Sequence, residues 1–490
     1  MSSIPFDNSF ARLPDTFFSR QAPVPVASPR LIARNADLAR QLGIDPDWLA
    51  SREGVEVVAG NAVPEGAEPL ASVYAGHQFG SYNPQLGDGR AILLGEVVDA
   101  NGDRYDIQLK GAGRTPYSRG GDGRSPLGPV LREYIISEAM HVLGIPTTRA
   151  LAAVSTGEQV VREEFLPGAV LARVASSHIR IGTFQYFAAH GDTESLKLLT
   201  RHVLVRHYPE ELTQDNQALA LLRAVMDRQA SLVAGWQLLG FIHGVMNPDN
   251  MLRSGEPIDY GPCAFMDDFK ADQVFSSIDH GGRYAYRNQP GIAHWNLACL
   301  AQCLLPLLHD DKDEAVAIAQ DQVDRFQQMF LDAHGVGMAR KLGLSELTAD
   351  DTALVEDLFH TMGEHGLDFT LVFRRLADLA DENSKAQVGE LFEIPDALLP
   401  WLARWRSRIG QEKILPEERQ SHMYRANPVF IPRNHLVQEA IETATRENDL
   451  TLFHSLNEVL RNPFEYRPEL RRFATPPRPE QEVRQTFCGT

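Results

Sequence analysis

The sequence predicts an α+β protein in which a small lobe of mixed sheet and helix precedes a mainly helical lobe and a helical extension. Three observations predict it. Short, alternating, β-branched runs flank one helical stretch between about residues 87 and 168. From about residue 170 the apolar positions recur at three-to-four spacing instead. A single non-helical island, HGVMNPDNMLRSGEPIDYGPCAFMDDF, then interrupts the helices.

Taken in order, residues 1–70 are mixed, with a short helix predicted around SPRLIARNADLARQLGI and a Pro-Glu-Gly loop behind it. GRAILLGEV and DRYDIQLK, separated by DANGD, read as a β-hairpin. A Gly-rich segment follows, and PLGPVLREYIISEAMHVLGI then carries helical spacing. TTRALAAVSTGEQVVREEFLPG returns to strand-like alternation. LKLLTRHVLVRHY, NQALALLRAVMDRQASLVAGWQLLG and HWNLACLAQCLLPLL are helical, as is the charge-rich chain after about residue 310. The tail FATPPRPEQEVRQTFCGT is Pro-rich and reads as extended. The implied organisation is an N-terminal extension (1–70), a mixed lobe (71–170), a helical lobe (171–330), and a helical extension with its tail (331–490).

Composition narrows the function classes. With 490 residues, 43% of them apolar, the chain can bury one large core and a smaller one, and it is too apolar to be disordered. Lys and Arg number 47 against 65 Asp and Glu, a net charge of −18 that argues against a nucleic-acid partner. No basic-then-apolar leader opens the chain, and no run approaches 18 uninterrupted apolar residues, so no membrane partner is expected. Of the four cysteines, Cys299 and Cys303 share one face of an apolar helix and read as core residues. Cys263 stands alone, and Cys488 lies third from the end. That usage suits a reducing compartment, and a cytoplasmic protein is the expectation.

Two constellations carry chemistry. From Lys110 to Arg132, KGAGRTPYSRGGDGRSPLGPVLR holds five basic residues and the single acid Asp122, a local surplus of four positive charges. Glycines let backbone N–H groups approach an anion, so the segment reads equally as a polyphosphate cradle or as a solvated loop. It contains no G-x-x-x-x-G-K-[ST]. In the island, Asn250 and Asp259 lie nine residues apart around the turn MLRSGEPI, which would bring an amide and a carboxylate to one end of a hairpin. Such hard oxygens suit Mg²⁺, and the neighbouring Asp249 is a candidate base. Each residue singly is also an ordinary turn former.

The ordered set reads like the catalytic core of a protein kinase-like two-lobed fold, with a mixed β-sheet N-lobe and a mainly helical C-lobe. Lys110 ends a strand, Glu133 on the next helix is placed to pair with it, Asn250 matches a metal ligand and Asp259-Tyr260-Gly261 matches Asp-Phe-Gly. One position departs. Aligning His243-Gly244 with the kinase catalytic loop puts Val245 where the base aspartate belongs, and valine accepts no proton.

The blocks YAGHQFGSYNPQLGDGRAILLGE, QLKGAGRTPYSRGGDGRSPLGPVLREYIISEAMHVLGIPTTRAL, HGVMNPDNM, IDYGPCAFMD and GRYAYRNQPGIAHWNL resemble the selenoprotein O family of protein adenylyltransferases. The resemblance covers most of the chain and weakens toward the C-terminus. It implies that ATP is held in an inverted orientation, so that a Ser, Thr or Tyr hydroxyl of a protein attacks the α-phosphorus and pyrophosphate leaves. The implied partners are ATP and protein substrates, the chain itself among the candidates. Gly87, Gly89 and Arg90 would contact the nucleotide, with Asp122 and Gly123 lining the same pocket. Lys110 would hold phosphate with Glu133 positioning it, and Arg173 and Arg180 would reach phosphates from the second lobe. Those two arginines lie seven apart, which as helix would place them on one face. Asp249 would accept the proton, while Asn250 and Asp259 would bind Mg²⁺ or Mn²⁺, Asp259 also lying near ATP. Many family members carry selenocysteine where this chain has Cys488; a free tail thiol is the simpler reading here. Two rival functions remain open at this level: a kinase transferring the γ-phosphate, and a nucleotide-binding scaffold without turnover.

Overall fold

The structure is a computed structural model describing residues 4–252, 254–381 and 383–487. Its first part is built on an antiparallel sheet. Along the chain come β1 (Phe18–Arg20), β2 (Arg30–Arg34), β3 (Leu70–Ser72), a separate hairpin of β4 (Gly76–Gln78) and β5 (Ser81–Asn83), β6 (Ala91–Val98), β7 (Arg104–Lys110), β8 (Ser125–Pro126), β9 (Arg149–Val161) and β10 (Phe165–Ala175). The sheet order is β1, β3, β6, β7, β10, β9, β2, with β8 added on β10. Three short helices, α1 (Ala36–Gln41), α2 (Pro46–Ala50) and α3 (Arg52–Val58), and the longer α4 (Leu127–Val142) complete this part.

The expected hairpin of β6 and β7 forms, with Ala91 opposite Lys110 and Val98 opposite Arg104. Both faces of the sheet are covered at its centre, so β6, β7 and the inner parts of β9 and β10 are largely buried. Ile92, Leu94, Ile107, Leu109, Val170 and Val174 point into the small core made with α1–α3, while Leu93, Ala169 and Leu171 join the main core beneath α4. The two-residue period therefore turns Gln108, Lys110 and Arg173 toward α4 as well. It is this face that carries the chemistry.

Two local readings are corrected. SPRLIARNADLARQLGI is not one helix: Arg30–Arg34 is β2, paired with β9, and the helix begins only at Ala36. Asn35 makes the break, its Oδ1 accepting the Leu38 N–H as an N-cap at 3.1 Å. Arg173 and Arg180 do not share a helix face, because Arg173 lies in β10 and Arg180 is the N-cap of the following helix. Both edges of the sheet, β1 and β2, come from the first 70 residues.

The remainder is helical: α5 (Ile181–Ala189), α6 (Thr193–His207), α7 (Gln217–Leu239), α8 (Gln289–Leu308), α9 (Lys312–Val323), α10 (Phe326–Leu342), α11 (Thr352–His365), α12 (Phe369–Asp378), α13 (Leu399–Ile409), α14 (Pro416–Ala426), α15 (Asn434–Arg446), α16 (Thr451–Leu460) and α17 (Arg471–Ala474). The island sits between α7 and α8, bracketed by the two-residue strands β11 (Phe241–Ile242) and β12 (Ala264–Phe265). Helices α10 to α14 build a core of their own around Trp405 and Phe373, whereas α15 and α16 return to the main core. There Phe453 meets Tyr134 of α4 edge-on, ring centroids 5.6 Å apart. Helix α8 with its lead-in is the one segment among the described residues long and apolar enough to span a bilayer, and half of it is buried in the fold. Cys263, Cys299 and Cys303 are buried, and Cys488 lies outside the described residues.

Candidate active site

Where the sheet meets the island, a cleft of about 510 Å³ opens. Its sheet-side wall includes the buried Lys110 and Arg173, both held by Glu133 of α4. The Lys110 ammonium donates to Glu133 Oε2 at 2.6 Å, and Arg173 reaches Glu133 Oε1 at 2.7 Å. One α4 carboxylate thus fixes two strand cations, and neither can swing away without stranding a buried charge. Glu133 stands behind Lys110 and does not itself line the cleft.

Asp259 faces this wall from the island. It pairs with Lys110, with Arg173 at 3.5 Å and with Arg90 at 4.0 Å. Burial alone would raise the Asp259 pKa, but the three cations outweigh it and hold the carboxyl well below the usual carboxylate range. Its backbone is left-handed, φ 70°, a conformation Asp tolerates better than most residues. The predicted hairpin closes behind it: Leu252 N–H donates to Glu256 O and Ile258 N–H to Asn250 O, bringing Asn250 and Asp259 to one end.

Asp249 has the opposite environment. It sits in the turn Pro248–Asn250, is 8% exposed, and its Oδ1 is buried with no hydrogen-bond partner. Burial pushes its pKa up to about 6, against the pull of Arg180. The β4 backbone covers it, and a side chain at Gly76 would collide with that Oδ1. Arg180 stacks 4.4 Å over the Tyr74 ring, donates to the Asp249 carbonyl at 2.7 Å and pairs with Asp88 at 3.3 Å. Val245 is also in the lining, and the adjoining His243 is fully buried among Trp236, Phe241 and Tyr260, its pKa lowered to about 4 by burial.

The third side is loop. Gly87 (φ 67°) packs so closely on Tyr117 that a Cβ would enter the ring, and Gly123 (φ 69°) passes directly over the Gly113 carbonyl. Asp122 is held by Arg162 at 2.9 Å; burial would raise its pKa, but Arg162 lowers it on balance.

Gly87, Gly89, Arg90, Lys110, Asp122, Gly123, Arg173, Arg180, Asp249, Asn250 and Asp259 all line this one cleft. Sequence reasoning missed Tyr74, Asp88, Arg119, Arg124, Arg162 and Asn247. Arg119 and Arg124 lay in the basic segment already noted, and Asp88 sits between two glycines already chosen. Asn247 Oδ1 accepts from the Phe79 N–H at 3.1 Å and the Tyr284 hydroxyl at 2.5 Å, so it ties the β4–β5 hairpin to the Asp249 turn. In all, seven cationic side chains line the cleft against four carboxylates. That is a surplus of three positive charges in a chain of net −18.

A hard divalent cation fits the donors present. Asn250 spends its Nδ2 on the Val245 carbonyl at 3.0 Å, which leaves its Oδ1 for a cation, and Asp259 supplies a carboxylate. Among the described residues no group of three His, Cys, Asp or Glu forms a closed metal cage. An open pair of ligands suits a cation that keeps waters and substrate phosphates.

A cleft that gathers positive charge around two differently tuned carboxylates and an amide belongs to a transferase acting on a phosphate-rich nucleotide. Sequence comparison gives the family. A family model described as "Protein adenylyltransferase SelO" matches residues 1–461. A protein nucleotidyltransferase YdiU of Rhodopseudomonas palustris (strain BisB5) is 58% identical over 487 residues, 99% of each chain. Proteins of the same name from Bradyrhizobium sp. (strain BTAi1) and Rhizobium rhizogenes (strain K84) are 57% and 56% identical, with 99% of this chain aligned to 99% and 97% of theirs. The chain belongs to the SelO family and is a nucleotidyltransferase.

Proposed function

We propose that this nucleotidyltransferase moves AMP from ATP to Ser, Thr or Tyr hydroxyls of proteins, its own chain a candidate acceptor, and releases pyrophosphate. The sheet part and the first helices act as the N-lobe and C-lobe of a protein kinase-like fold. The Lys110–Glu133 pair, with Asp259-Tyr260-Gly261 facing it, supports that reading. One observation carries the reaction: the only proton acceptor in the turn is Asp249, buried and with an unpaired oxygen, while the position of a kinase base is Val245. The buried cysteines Cys263, Cys299 and Cys303 support a reducing, cytoplasmic setting.

In this mechanism Lys110, Arg173 and Arg90 take up phosphate charge, and Glu133 keeps the first two in place. Gly87, Gly89 and Gly123 bring backbone close to the nucleotide, and Arg180 adds charge from the helical side. Asp249 accepts the hydroxyl proton as the new O–P bond forms at the α-phosphorus and the bond to the pyrophosphate oxygen breaks. Because transfer of this kind needs positioning and charge neutralisation more than covalent help, the loss of a base at Val245 is tolerable. Mg²⁺ or Mn²⁺ bound by Asn250 and Asp259 would offset charge on the leaving group.

The test is ATP labelled at either the α- or the γ-phosphorus, incubated with the full chain and divalent metal. Label from the α position on protein is expected. Label from γ alone would mean a kinase, and label from neither a binding scaffold.

A further inference from the structure

Beside the cleft lies a second groove of about 770 Å³, sharing Arg162 and Ile278 with it. Its walls are the start of α4, the tip of the β9–β10 hairpin, helix α15 and the last described residues of the tail. The tail wall is built in. Thr486 N–H donates to Phe275 O at 2.7 Å, Ser277 N–H donates to Thr486 O at 3.1 Å, and Asn434 of α15 holds the Val483 carbonyl at 3.3 Å. Phe487, on the tail wall, is 67% exposed, among the most exposed large apolar side chains of the described residues. Ile278, at the junction with the cleft, is 57% exposed. Two large apolar side chains left facing solvent in one groove are an interaction signature rather than scattered surface.

The charge of the groove is also one-sided. Glu163, Glu164, Glu442 and Glu482 line it. Of its three arginines, Arg132 is buried in hydrogen bonds to Cys263 O and Asn434, and Arg162 is paired with Asp122; Glu482 is likewise paired with Arg484 at 3.1 Å, which leaves Glu163, Glu164 and Glu442 against Arg446. The cleft next door is the reverse, with a cationic surplus that the nucleotide would neutralise. An acceptor delivered along this groove therefore meets acid outside and phosphate inside, and both favour a basic chain.

We infer that the groove docks the acceptor: an extended polypeptide segment with apolar residues for Phe487 and Ile278 and with Lys or Arg for Glu163 and Glu164, feeding its hydroxyl past Ile278 toward Asp249. This rests on the protein-AMP-transfer reading above. It commits to a basic, apolar protein segment; a second copy of this chain is the alternative occupant.

The experiment uses the full chain, α-labelled ATP and two synthetic peptides of equal length. Each has one serine flanked by leucines, one peptide carrying arginines and the other aspartates. The basic peptide is expected to be the better acceptor by about tenfold, through KM. Glu163→Lys/Glu164→Lys should cut that preference about fivefold or more, and Phe487→Ser should raise KM for both peptides, with KM for ATP unchanged in each variant. Equal labelling of the two peptides, or a preference untouched by the charge reversal, would overturn the docking site while leaving AMP transfer intact. A concentration-dependent dimer that Phe487→Ser abolishes would also overturn it, in favour of the second copy. Absence of α-label from every polypeptide would remove the reading beneath it as well.

Discussion

Two aspartates on one stretch of island backbone have been given opposite chemistry. Asp259 faces Lys110, Arg90 and Arg173, and its carboxyl stays ionised far below the usual range. Asp249 is buried under the β4 backbone with one oxygen unpaired and holds its proton up to about pH 6. Residue type does not distinguish them; the number of facing cations does. Carboxylates whose environments push their proton affinities apart are the usual sign of divided labour, one holding charge and the other moving a proton.

The comparison can be broken at either corner. Asp259→Ala should have the largest effect, lowering α-label transfer by about a thousandfold or more while the protein still folds. It leaves Lys110, Arg90 and Arg173 facing one another, so its Tm at neutral pH should drop. The wild-type contribution from Asp259 is present above the ordinary carboxylate pKa of 3.8 and is lost as pH falls, because its folded pKa is depressed. Lys110→Met comes next, about a hundredfold, with weaker ATP binding by calorimetry.

Asp249→Asn should cost about a hundredfold as well, and it also tests the sign of the comparison. A base must be deprotonated, so the wild-type rate should climb as pH rises through about 6 and then level, and the variant should lose that limb. Its folded pKa is raised, so the folded state binds the proton more tightly between about 3.8 and 6, and ionised Asp249 costs stability above that window. Asp249→Asn should therefore raise Tm at pH 8, an advantage that fades as pH falls toward 4. A lowered Tm at pH 8 would contradict the contrast between the two aspartates. The smallest effect is expected from Tyr74→Leu, about twofold to fivefold in transfer, since it removes only the ring beneath Arg180.

The parts legible in the sequence were those that depend on neighbours along the chain. Lys110 at a strand end, Glu133 on the next helix and Asn250 and Asp259 around a short turn need only local periodicity and turn chemistry to be placed. Arg173 and Arg180 illustrate the limit. A separation of seven fits two helical turns, but the small and β-branched residues before Arg173 continue β10 to Ala175, and the chain turns helical only at Ile181. Asp88, Asn247 and Arg162 were not legible because each joins the cleft through a tertiary contact, Asp88 through Arg180, Asn247 through Phe79 and Tyr284, and Arg162 through Asp122. The raised proton affinity of Asp249 was equally hidden, since it comes from Gly76 and its strand lying across the turn.

The orientation of the triphosphate is the centre of the proposed reaction. A crystal structure of the full chain with a non-hydrolysable ATP analogue and Mg²⁺ would read it directly. The α-phosphorus is predicted to lie nearest Asp249, with the β- and γ-phosphates among Lys110, Arg173 and the Gly-rich loop. Adenine seated at the junction of the two parts, with the γ-phosphate beside Asp249, would contradict it.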